Sequence, residues 1–188
     1  MKRYVALLRG INISGRKKIT MAELKENLED MEFENVVTYL NSGNVLFSCN
    51  VADEAEISRK IEEMIRDKFG LEIPVYVKDM EFINDILSHA PSWWGTDSKE
   101  IYDNLIFVIP PADAEMIVDK IGEPTENLEK IKIYKNIIFW SFNRKSYSKA
   151  NWWKKTASAG IGEWLTIRTA NTVRKLADLD RKRSQQHK

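Results

Sequence analysis

The chain predicts an α+β protein built from two βαββαβ subdomains in tandem, with antiparallel sheets and helices packed on one face of each. Three observations carry this. Short apolar runs of strand length alternate with amphipathic helical stretches in the same order twice. In each half two of those runs are joined by turn chemistry, Asn41-Ser42-Gly43-Asn44 in the first and Lys135-Asn136 in the second. Finally, 188 residues with 43% hydrophobic positions suffice for two small cores.

Tyr4 to Leu8 is fully apolar and stopped by Arg9-Gly10, as suits a buried strand. Thr20-Met21-Ala22-Glu23 has the capping-box form of a helix start, and Met21, Leu24, Leu28 and Met31 then make one apolar stripe. Val36 to Leu40 and Val45 to Cys49 predict the first hairpin. Ile57, Ile61, Met64 and Ile65 predict a second helix ending near Gly70. Ile73 to Val77 supplies a fourth strand, with Pro74 at its start or on an edge. A linking helix with Phe82, Ile83, Ile86 and Leu87 on one side leads into the turn-rich stretch Ala90 to Thr96.

The pattern then resumes. Strands are expected at Leu105 to Ile109, Ile131 to Tyr134, Ile137 to Phe142 and Leu165 to Arg168. Between them fall a helix carrying Ala114, Ile117, Val118 and Ile121 and a weaker helical segment near 151–158. A last helix holds Val173, Leu176 and Ala177. The expected division is 1–78 and 103–180 for the two subdomains, 79–102 for the linking helix and loop, and 181–188 for a basic, disordered tail.

No window approaches the roughly 18 apolar residues of a membrane span, and Arg9 interrupts the first apolar run before it could serve as a signal sequence. A cytoplasmic protein with no membrane partner is expected. Cys49 is the single cysteine, so an internal disulfide and a Cys-rich metal site are excluded by counting. Two histidines and no EF-hand spacing complete the expectation of no metal and no cofactor.

The formal net charge of +1 conceals a strong asymmetry. Residues 1–18 hold six Lys/Arg and no acid, and residues 144–188 hold twelve Lys/Arg against three acids. The segment 19–143 between them holds eleven Lys/Arg and 25 Asp/Glu. Brought together, the basic ends would form a face that attracts anions.

Three ordered motifs, Leu7-Leu8-Arg9-Gly10-Ile11-Asn12, Tyr39-Leu40-Asn41-Ser42-Gly43-Asn44-Val45 and Thr166-Ile167-Arg168 leading into Asn171-Thr172-Val173, resemble the bacterial domain-of-unknown-function family sixteen-ninety-seven. The resemblance spans nearly the whole chain. It implies two α+β subdomains related to the ferredoxin-like topology, and it implies no activity. It places Arg9, Gly10, Asn12, Ser42, Gly43, Asn44, Arg168, Asn171 and Thr172 on the family's motif positions. At Thr169-Ala170 the chain departs from the family's usual Asn-Trp.

Gly10 to Lys17 reads G-x-x-x-x-G-R-K, close to a phosphate-binding loop but without the hydroxyl residue that would hold Mg²⁺. A looser anion site remains: a glycine-containing loop with Arg9, Arg16, Lys17 and Lys18 feeding the capped helix start at Thr20. Ser42 would need a base and an orienting acid to act as a nucleophile, and His89 and His187 are poorly placed for that. Lys135, Phe139 and Phe142 partly match the third strand of RNA-recognition motifs. A fuller pattern follows, in which Arg144, Lys145, Tyr147, Lys149, Trp152, Trp153, Lys154 and Lys155 interleave cations with aromatics, as single-strand binding surfaces do. Trp93-Trp94 reads as a packing wedge between the subdomains.

Two function classes follow. The first is a non-catalytic binding module for an anionic partner, single-stranded nucleic acid or a nucleotide, held by the basic ends and by Lys149, Trp152, Trp153, Lys154 and Lys155. The second is an enzyme acting on a phosphorylated or carboxylated small molecule in a cleft between the subdomains, lined by Arg9, Asn12, Ser42, Asn44 and Arg168. A broad basic groove with exposed aromatics would favour the first, and a closed pocket of converging cations the second.

Overall fold

In the computed structural model, which describes residues 1–13, 15, 17–158 and 160–186, the expected βαββαβ order occurs twice. The first pass comprises β1 (Lys2–Leu8), α1 (Met21–Asp30), β2 (Glu34–Tyr39), β3 (Asn44–Cys49), α2 (Glu54–Phe69) and β4 (Val75–Asp79). α3 (Met80–Ser88) follows. The second pass comprises β5 (Ile101–Val108), α4 (Ala114–Ile121), β6 (Glu129–Tyr134), β7 (Ile137–Asn143), α5 (Asn151–Thr156) and β8 (Leu165–Thr169), and α6 (Ala170–Gln186) follows it. Each pass makes a four-stranded antiparallel sheet, ordered β2-β3-β1-β4 and β6-β7-β5-β8. Two compact units result: Met1–Asn84 with Leu176–Lys188, and Asp85–Lys175.

Local chemistry sets the element ends. Thr20 accepts the Glu23 amide at the start of α1, and its hydroxyl donates to the Glu23 carboxylate at 2.6 Å. Asp53 and Asp113 cap α2 and α4 in the same way, and Gly70 ends α2 at φ 65°, where a side chain would be strained.

In the first unit Tyr4, Ala6 and Leu8 of β1 and Val45 and Phe47 of β3 pack against Leu24 and Leu28 of α1 and Ile57, Ile61 and Ile65 of α2. Phe33 stacks on Phe47 at 4.7 Å and 8°. The opposite face is buried as well: Val5, Leu7 and Leu46 are 1% exposed or less. The second unit repeats this, with Ile106, Val108, Ile138 and Trp140 facing Ile117 and Ile121 of α4, and with Leu105, Phe107 and Phe139 buried on the other side. Trp94 covers Phe139 edge-on at 5.0 Å and donates from its indole to the Asn104 carbonyl. The expected wedge is thus a packing residue of the second unit.

Some expectations give way to longer-range chemistry. β5 begins at Ile101, four residues before Leu105, because Asp103 and Asn104 are buried with their polar groups satisfied. Asp103 accepts from the Ser141 hydroxyl and the Thr96 amide. β4 starts at Val75, just beyond Pro74, whose carbonyl accepts the Arg9 amide. Residues 181–186, expected to be disordered, continue α6. That half of the helix is tied into the first unit: Arg3 Nε meets Asp180 Oδ1 at 2.8 Å, and Arg183 donates to the Asn35 carbonyl at 2.7 Å. Asn35 lies in the β-bulge between Glu34 and Val37 at φ 55°, so its carbonyl is free to accept.

Asp79 joins β4 to α3. It caps the helix through the Phe82 amide at 2.7 Å and pairs with Lys2 Nζ at 2.7 Å. Burial works to raise its pKa, but the Lys2 and Phe82 hydrogen bonds and the charges of Lys2 and Lys78 outweigh it and hold the carboxyl below its ordinary value. A carboxyl lowered in the folded state contributes stability that is present above the unfolded value of about 4 and lost as pH falls through the folded one. Urea midpoints measured at pH 6 and pH 3 should therefore fall less in Asp79→Asn than in the wild type. An equal fall would remove Asp79 from the acid response.

Candidate functional site

Of the residues singled out in the first unit, Asn12 and the Ser42-Gly43-Asn44 turn are tied mainly to the backbone around them. Asn12, at φ 56°, donates from Nδ2 to the Ile19 and Asn41 carbonyls, both at 2.8 Å, and accepts the Ile19 amide at 3.0 Å. Its amide side chain ties the β1–α1 loop to the hairpin turn. Asn44 is fully buried and donates to the Tyr39 carbonyl at 2.7 Å and to Ser42 Oγ at 3.0 Å. The Gly43 carbonyl accepts the Leu8 amide at 2.8 Å. A Cβ on Gly43 would lie 2.7 Å from Leu8 Cβ and 2.8 Å from Ile11 Cδ1, so this glycine permits close packing of the turn on β1. Gly10 has φ 63° with open space around it. Arg9 is half-buried and Lys17 exposed; Arg16 lies outside the described residues, as does His187. His89 contacts Asp85, Ser88 and Tyr134, leaving Ser42 no histidine base among the described residues.

Arg168, on β8, is 7% exposed and donates to Thr166 Oγ1 and the Ile167 carbonyl, both at 2.9 Å. Burial pushes its pKa down to about 10. The guanidinium is an internal tie of the second sheet. Thr172 is buried too, with its amide and hydroxyl on the Thr169 hydroxyl at the start of α6.

The basic and aromatic segment divides in two. Trp152 is fully buried, and its indole donates to the Gly122 carbonyl at 3.0 Å. Its amide donates to the Glu129 carboxylate, which is 6% exposed and also accepts from Trp140 Nε1 and the Thr125 amide. Lys155 Nζ caps the Ile121 carbonyl at 2.7 Å, beside the Asn151 amide group, which bonds the same carbonyl. A cation, a side-chain amide and an indole N–H at the end of α4 satisfy carbonyls that the helix leaves open. Trp152 therefore belongs to the core, contrary to the expectation of a binding surface, while Lys155 is exposed with its ammonium engaged in a helix cap. Phe139 and Phe142, at 0% and 3% exposure, likewise offer no open platform for bases.

The other half of the segment faces solvent. Trp153 is 44% exposed and Tyr147 47%, with ring centroids 5.1 Å apart, and Arg144, Lys145, Lys149 and Lys154 are exposed around them. A run of ring contacts leads away from this pair: Trp153 to Phe142 at 5.3 Å, then Phe142 stacked on Tyr102 at 5.4 Å, with the Arg144 guanidinium 4.6 Å over the Tyr102 ring. Tyr102 and Arg144 also line a polar cleft of about 410 Å³ with Lys99, Asp97 and Asn171. Ala170 and Asn171 stand there at the first turn of α6, where amides lack intrahelical acceptors. Asp103 lines it with its carboxylate engaged by Ser141 and Thr96. Of the residues singled out from sequence, Asn171 and Arg144 lie in this cleft, Arg144 having been expected in an open basic and aromatic surface. Lys99 and Tyr102 were not expected there, since nothing in a polar loop and a strand end distinguishes residues that line a cleft.

A family model described as "Protein of unknown function (DUF1697)" matches residues 1–139. The structure of the conserved bacterial protein SP0830 from Streptococcus pneumoniae is similar to this chain at 28% identity, with a TM-score of 0.82, covering 94% of this chain and 97% of that one. No curated protein matches the sequence.

Proposed function

This chain belongs to the DUF1697 family, whose description carries no activity, and from that premise we propose a non-catalytic module whose second unit binds single-stranded nucleic acid. The observation that supports this reading is the exposed Tyr147–Trp153 pair set among Arg144, Lys145, Lys149 and Lys154. Large aromatic faces left half in water cost solvation, and stacking against a base recovers it regardless of base identity. The neighbouring cations neutralise phosphates, a contribution that weakens as salt displaces it. Lys145 already shares its charge with Glu100 at 2.9 Å, which leaves Lys149 and Lys154 as the main cations beside the rings.

Titrating short fluorescent single strands of DNA and RNA against the protein tests this. Trp153→Ala should weaken binding by about 1–3 kcal/mol, roughly 5- to 150-fold, with little change in stability. A plot of log affinity against log salt should fall by about 0.7 per phosphate neutralised, and Lys149→Ala with Lys154→Ala should flatten it. Binding that is flat with salt, or untouched by Trp153→Ala, would sink the proposal.

A further inference from the structure

Resting on that reading, we propose that the cleft beside Tyr102 and Arg144 receives the terminal phosphate of the bound strand, so that the module recognises strand ends. The argument starts from the connection between the two features. Arg144 lines the cleft and covers the Tyr102 ring, and two ring-to-ring steps, of 5.4 and 5.3 Å, lead from Tyr102 through Phe142 to the exposed Trp153. A stacked strand rising about 3.4 Å per nucleotide spans those steps in about three nucleotides. A strand stacked on Trp153 and Tyr147 thus has its end within reach of the cleft.

Size and donor set favour an end over a passing backbone. A volume of about 410 Å³ is at the small end of ligand pockets and suits one nucleotide-sized group. Its cations are Lys99 and Arg144, its side-chain amide is Asn171, and Ala170 and Asn171 line it at the start of α6, where backbone amides have no helical acceptor, the Thr172 amide being taken by the Thr169 hydroxyl. A phosphomonoester offers three acceptor oxygens and a charge of about −1.5 to −2, whereas an internal diester offers two oxygens and one charge. The monoester therefore gains more from converging donors. Opposing it is Asp97, an exposed carboxylate on the rim, since the Asp103 oxygens are held by Ser141 and Thr96.

The test compares one internally labelled octanucleotide in three forms: both ends hydroxyl, 5′-phosphorylated and 3′-phosphorylated. One phosphorylated form should bind about 10-fold or more tightly than the hydroxyl-ended strand, as a charge-assisted contact provides. Arg144→Gln and Lys99→Gln should each reduce that preference, and Asp97→Asn should increase it. Trp153→Ala should weaken all three forms by the same factor. Melting curves of each variant separate lost recognition from lost folding. Equal affinity for the three forms would overturn end recognition while leaving strand binding intact, as would a preference that survives both the Arg144 and Lys99 variants. Binding of none of them would overturn strand binding as well.

Discussion

Trp152→Ala is expected to lower the unfolding free energy by about 3–5 kcal/mol, the largest loss among the substitutions considered. Its indole is fully buried among Trp140, Phe142 and Ile121, in a core without room to collapse onto the void. The indole N–H bond to the Gly122 carbonyl goes with it, leaving that carbonyl at the end of α4 without this donor. Glu129 is held in place by the Trp152 amide, the Thr125 amide and the Trp140 indole, so its buried carboxylate would also feel the disturbance. Trp153→Ala, next in sequence but 44% exposed, should cost about 1 kcal/mol or less. Urea denaturation of the two variants side by side measures the contrast. Equal destabilisation, or a Trp152 variant as stable as the wild type, would mean the two indoles do not divide core from surface in this way.

Gly43→Ala is expected to cost about 2–5 kcal/mol. The left-handed backbone at φ 76° contributes about 1–2 kcal/mol for any residue with a Cβ, and the contacts with Leu8 and Ile11 add about 1–3 kcal/mol of overpacking. Gly10→Ala supplies the control. Its backbone is equally left-handed at φ 63°, but its Cβ would enter open space, so only the conformational part should appear. Thermal or urea unfolding that finds the two substitutions equally costly would show that the packing of the hairpin turn on β1 carries no weight.

The family's motif positions look different in this light. Asn12, Ser42, Gly43 and Asn44 hold a loop and a hairpin together, and their polar groups are directed at backbone carbonyls, an amide and one another. Arg168 does the same within the second sheet. Motif residues of this kind preserve a fold, and an anion site built on them would have to break those bonds first.

What could be read from sequence was local. The strand at β1, the capping box at Thr20, the stop at Gly70 and both hairpins depend on neighbours a few residues away, and each stands near where periodicity and turn chemistry put it. What could not be read was decided at a distance. Nothing in Trp152-Trp153 says which indole is inside; the answer comes from Glu129 and Gly122, 23 and 30 residues away. Asp103 falls outside the strand expected from Leu105, because its partner, Ser141, is 38 positions further on. The cleft likewise draws on residues 96–103, 144 and 169–171, a convergence only the antiparallel pairing of β5 with β7 and β8 creates.

One feature of the chain order bears on how the protein is made. Arg3, near the start, pairs with Asp180, 177 positions later, and residues 176–186 of α6 count with the first unit. During synthesis at about 5–20 residues per second, the first sheet would emerge on the order of ten seconds before the helix that supplies Asp180. Throughout that interval Arg3 lacks its carboxylate and the nascent first unit must persist incomplete, a window in which chaperone capture competes with folding. A ribosome-stalled chain ending at residue 150 should therefore be cut by protease within β1 to β4 more readily than one extended past residue 186 by a linker long enough to clear the exit tunnel.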